Sequence, residues 1–118
     1  MKEKALIRGL SGVIILGGVG HAAGSWFDYS GKPEIMLWSL CTALFMFLLG
    51  AVNWLRATRM KDRPLAWIAL TFNLAWLAAC VQFIHIFHNP LDPRVDMFMI
   101  VTLALIGTIF RSLVQSRS

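Results

Sequence analysis

Apolar residues fall into four long blocks separated by short polar segments. Leu10 to Phe27 forms the first and reaches back to Leu6 if Arg8 extends to the head-group level. Ile35 to Leu55 is the second, 21 residues without a charge. Leu65 to Phe87 is the third, 23 residues with no Asp, Glu, Lys or Arg. Met97 to Phe110 is the fourth, with 14 residues between Asp96 and Arg111. A hydrocarbon core of ~30 Å takes roughly 20 helical residues at ~1.5 Å each. The fourth block is long enough only if Arg111 snorkels along its own helix while Ser112, Leu113 and Val114 complete the span. The pattern predicts an all-α integral membrane protein: an antiparallel four-helix bundle with spans at about 6–27, 35–55, 65–87 and 95–114, forming one transmembrane domain over 1–118.

The links carry turn chemistry: Ser30-Gly31-Lys32-Pro33, Lys61-Asp62-Arg63-Pro64 and Asn89-Pro90-Leu91-Asp92-Pro93. Short links make consecutive spans antiparallel neighbours. No linker, low-complexity tract or internal repeat divides the chain, and its two halves do not share motifs, so an inverted repeat is unsupported.

Composition removes the soluble alternatives. Of 118 residues, 58% are hydrophobic and 14% charged, and the mean hydropathy is +0.67. A small soluble domain buries too little of its surface to hide that much apolar area.

Charge gives an orientation. The N-terminal segment carries +2, the first link −1, the middle link +3, the third link −1 and the tail, through Arg111 and Arg117, +2. Positive segments alternate with negative ones, which places both termini in the cytoplasm of a plasma (inner) membrane protein. The pI of 9.9 is thus a topology signal. Nucleic acid is excluded as a partner because no basic cluster is interleaved with stacking aromatics. Trp26, Trp38 and Tyr29 fall at the outer interface and Trp54 and Trp67 at the inner one, as aromatic belts do. Trp76 falls near mid-membrane, where its indole N–H needs a partner.

The first block resembles a signal peptide in its basic start and its Ala22-Ala23-Gly24-Ser25. Its apolar stretch exceeds the usual 7–15 residues, so an uncleaved first helix is expected. Gly9, Gly12, Gly17, Gly20, Ala23 and Gly24 lie within about 140° of arc at 100° per residue. This small-residue face is expected to pack against another helix, inside the bundle before any homodimer or other membrane-protein partner. Gly20→Leu is then disruptive, and leucine at Ile14, off that face, is tolerated. A loose GxGxxxG from Gly18 to Gly24 is no dinucleotide site, because no strand precedes it.

Chemistry inside a membrane needs polar groups there. None of the charge-free stretches holds Asp or Glu, which argues against a proton-coupled exporter, and no hydrolytic motif occurs. Asn53, Asn73 and Gln82 are the intramembrane polar residues, with interhelical hydrogen bonding as their default role. His21, His85 and His88 fall towards the outer face, with Cys41 and Cys80 at similar depth. Imidazole and thiolate ligate haem iron, copper and zinc. His21 with His85 is therefore the candidate haem pair, and His21, His85, His88, Cys41 and Cys80 are the candidate metal ligands. A Cys41–Cys80 disulfide is left open. Three readings of function result. The first is a non-catalytic binding or accessory subunit within the bilayer. The second is a haem- or metal-binding redox module at the outer leaflet. The third is a small transporter or lipid-handling protein with Asn73, Trp76 and Gln82 lining a polar gap.

Overall fold

Proline and carboxylate side chains set where the later helices begin. Pro33 opens one with Glu34 in its first turn, where the missing proline N–H costs nothing. Asp62 caps the next, its carboxylate accepting from Leu65 N at 3.0 Å. Asp92 does the same ahead of Pro93, accepting from Arg94 N at 3.0 Å. Its side-chain hydrogen bond with the Arg94 guanidinium, and then the one from Arg94 N, hold its carboxyl below the usual aspartate value. The computed structural model describes residues 2–115; Arg117, counted in the tail charge, lies outside them. The described residues form four helices: α1 (Lys2–Asp28), α2 (Pro33–Thr58), α3 (Arg63–Phe87) and α4 (Pro93–Gln115). All four are long and apolar enough to cross a membrane. α4 runs on through Arg111. His88 ends α3 in the left-handed region, φ 53°, a position more often given to glycine.

Polar side chains within the helices bond first to their own backbone. Ser11 donates to Ile7 O, Ser25 to His21 O, Asn53 to Leu49 O, Asn73 to Ala69 O and Thr102 to Phe98 O. That pairing satisfies the side-chain donor where water is scarce and leaves the helix intact.

The helices close into a ring in which α1 packs most extensively on α2, α2 meets α3, α3 meets α4, and α4 returns to α1. Ser25 near the end of α1 meets Ser39 near the start of α2. Gly50, near the other end of α2, lies against Ile15 and Ser11. The core contains Ile7, Ile14, Met46, Leu49 and Leu105, with a second cluster of Ala66, Ala69, Ile109 and Leu113 between α3 and α4. The outside is apolar too: Leu16 is 71% exposed and Ile100 68%.

The inward face of α1 differs from the expected one. Its buried residues are Ile7, Ser11, Ile14, Gly18 and Ser25. At 100° per residue, Gly9, Gly12, Gly20 and Gly24 lie roughly opposite that stripe. A Cβ at any of those four would meet nothing within 4 Å among the described residues. Gly20 is therefore no internal contact, whereas Ile14 is fully buried. Close approach occurs elsewhere: Gly17 against Phe98 of α4, Gly18 against Phe47, and Gly50 against Ile15.

Candidate functional site

Polar groups gather at three depths. At the α1–α2 link end, His21 Nε2 lies 3.0 Å from Ser39 Oγ, and Ser39 Oγ is also hydrogen-bonded to Ser25 Oγ. Ser25 donates back to His21 O at 2.7 Å. The cluster ties α1 to α2 and occupies one nitrogen of the ring. His85 and His88 are exposed, with ring centroids 6.4 Å apart. Cys41 is exposed, Cys80 is buried, and both are free thiols. No group of three or more His, Cys, Asp or Glu able to hold a metal ion occurs among the described residues.

At mid-depth, Asn73 Nδ2 donates to Asn53 Oδ1 at 3.2 Å, bridging α2 and α3. Both residues are fully buried. Trp76, one turn on from Asn73, stacks on Phe45 with ring centroids 5.8 Å apart. Asn73 Oδ1 and Trp76 Nε1, an acceptor and a donor, have no hydrogen-bond partner among the described residues. Gln82 does not join them; it is exposed on α3.

At the opposite end from the histidines lies a group that the sequence does not advertise. Arg56 of α2 is fully buried and crosses to α4, where its Nη2 donates to Thr108 Oγ1 at 2.5 Å. Thr108 donates in turn to Leu105 O at 2.7 Å. Arg56 Nε and Nη1 have no hydrogen-bond partner among the described residues, and neither does the buried Glu3 Oε1. Glu3 acts on the Arg56 charge through space. Buried donors are rarely left unused, and two on one guanidinium call for an explanation. Nearby, Arg8 lies 5.8 Å over the Trp54 ring, a cation–π contact between α1 and α2. In sequence, Arg56 counts as one more charge of the middle link. The signal that finds it is its register: Leu49, Asn53 and Arg56 share one helix face.

Chemically, the histidine end offers a hydrogen-bonded imidazole and two hydroxyls, the centre an amide pair, and the Arg56 end unspent cationic donors. Comparisons of the chain with family models, with curated proteins and with solved structures give no match.

Proposed function

We propose that this chain is a non-catalytic membrane subunit that binds another transmembrane helix, a second copy of itself, through the outer face of α1. The observation that carries this reading is the position of the glycines. A glycine inside a helix costs about 1 kcal/mol relative to alanine. Gly9, Gly12, Gly20 and Gly24 have no neighbour among the described residues that requires them. In lipid, helices associate by close backbone approach, and small residues on a lipid-facing stripe supply it. Leu16 stands 71% exposed on the same face, with Gly12 and Gly20 a turn to either side. The face thus offers both a projecting side chain and the shallow positions to receive one, as a two-fold contact between identical chains requires.

The surrounding membrane follows from the same surface. The exposed apolar side chains form no bounded patch but clothe all four helices, and lipid is the solvent that tolerates this. In this reading the spans are antiparallel, the protein resides in the plasma (inner) membrane, and both termini face the cytoplasm because the positive segments fall on their side. Reporter fusions at Ser118 and in the link at Lys61 are expected to read cytoplasmic and a fusion at Pro90 external; a cytoplasmic signal at Pro90 would reverse the orientation.

Self-association is tested in vesicles with donor- and acceptor-labelled chains. Energy transfer is expected in the native chain, and Gly20→Leu should remove most of it without unfolding the monomer. A chain that shows no transfer at any protein-to-lipid ratio, or a Gly20→Leu variant that associates like the native chain, would refute the proposal.

A further inference from the structure

Arg56 sits behind the wall of a crevice of about 410 Å³ between α1 and α4. Its mouth carries Lys2 and Glu3 from α1 and Arg111 from α4, and Thr108, the hydrogen-bond acceptor of Arg56, forms part of the wall. The remaining lining is Leu6, Ala104 and Gly107. The volume falls in the ~300–1,000 Å³ typical of ligand sites. The room is a consequence of side-chain size, since besides Thr108 and Arg111 α4 offers only alanine and glycine there, and a Cβ at Gly107 would meet nothing within 4 Å among the described residues.

We propose that this crevice binds the head group of an anionic phospholipid, its phosphodiester taken by Lys2 and Arg111, with Arg56 adding its charge from behind the Thr108 wall. Two cations line a space that holds one carboxylate, and a third, Arg56, lies behind its wall on Thr108, a balance that suits a singly charged phosphate. Arg56 supplies the independent sign of a ligand: a fully buried guanidinium with two unspent donors, anchored on a residue of the wall. Glu3 Oε1, a buried acceptor without a partner among the described residues, selects the head group further. It repels a doubly charged phosphate and accepts from a head group that carries hydroxyls, as phosphatidylglycerol does. Leu6, Ala104 and Gly107 then give the first carbons of the acyl chains an apolar wall, which free phosphate would leave uncovered. The proposal rests on membrane residence, as proposed above, and does not require self-association.

The test uses the full chain in a neutral detergent, with phosphatidylglycerol, phosphatidylcholine or inorganic phosphate added. Lipid retention is read by native mass spectrometry, alongside the thermal unfolding midpoint. Phosphatidylglycerol is expected to stay bound and raise the midpoint, while phosphatidylcholine and inorganic phosphate do neither. In the chain carrying both Lys2→Gln and Arg111→Gln, affinity for phosphatidylglycerol should fall by at least about tenfold, or ~1.4 kcal/mol. Both side chains are exposed, so the fold survives their loss. Arg8→Gln removes a cation outside the crevice and should leave retention unchanged. Equal retention in the double variant, equal binding of phosphatidylcholine, or a full midpoint shift from inorganic phosphate alone would each overturn the lipid site. So would a chain indifferent to lipid in which Glu3→Gln lowers the midpoint, because Glu3 would then be pairing with Arg56 directly.

Discussion

Replacing Gly50 with valine should cost about 3 kcal/mol of stability, while Gly20→Leu, a larger change in volume, should stay within about 0.5 kcal/mol. The contrast follows from what each added carbon meets. At Gly50 even a Cβ runs into Cγ1 of Ile15 and comes within 3.1 Å of the Ser11 carbonyl oxygen. That oxygen is backbone, so α1 and α2 must separate along their whole contact to make room. Gly50→Ala already tests the point. Alanine gains about 1 kcal/mol of helix propensity over glycine, so a net loss from that variant can only be steric. At Gly20 an added side chain points away from the bundle. Reversible unfolding in mixed detergent micelles, at dilutions where the chain is monomeric, separates the two positions. Equal losses at Gly50 and Gly20 would mean that α1 is rotated about its axis relative to the arrangement described here.

That rotation is the part of the fold the sequence leaves unspecified, and the reason is the solvent. In water, one face of a helix is apolar and the other polar, so the hydrophobic period reveals which side is buried. Here Leu16 faces outward and Ile14 inward, and both are aliphatic. Helix number and approximate extent were legible, because a lipid span needs an uninterrupted apolar run. The small-residue stripe was the one angular signal on α1, and it lies on the side away from α2. α2 and α3 are read more easily. Asn53 and Asn73 are strongly polar, and a polar side chain turned inward finds the partner that lipid withholds. The amide pair, buried beside Trp76, follows that logic. Gln82 does not, lying exposed near the end of α3. Arg56 escapes notice in a count of charges because it follows Leu55 directly, where a link residue is expected. Its spacing from Leu49 and Asn53 carries it onto the buried face instead. His21 meets Ser39 because the α1–α2 link folds the end of one helix onto the start of the next. No local motif in the sequence announces that contact.

Arg56 gives the other large effect, and its sign depends on the replacement. Arg56→Ala should lose about 3–5 kcal/mol, because it empties the space of the largest fully buried side chain in the structure. Arg56→Met keeps most of that volume and removes the charge. Its stability without added lipid should equal that of the native chain or exceed it by about 1–4 kcal/mol, as when other buried charges give way to apolar side chains of similar size. Thr108 tolerates the loss, since its hydroxyl still donates to Leu105 O. The two unspent nitrogens, Nε and Nη1, are the source of the gain: among the described residues nothing compensates their desolvation, and the proposed anion would offset it through its charge. Phosphatidylglycerol should therefore raise the unfolding midpoint of the native chain and leave that of Arg56→Met nearly unmoved, so that the two approach each other or cross as lipid is added. The measurement is a pair of lipid titrations followed by thermal unfolding, with Arg56→Ala marking the cost of lost volume alone. If Arg56→Met were as damaging as Arg56→Ala at every lipid concentration, the guanidinium would be stabilising through contacts within the chain. Arg56 would then be a strut between α2 and α4, and the unspent donors would need a partner other than lipid.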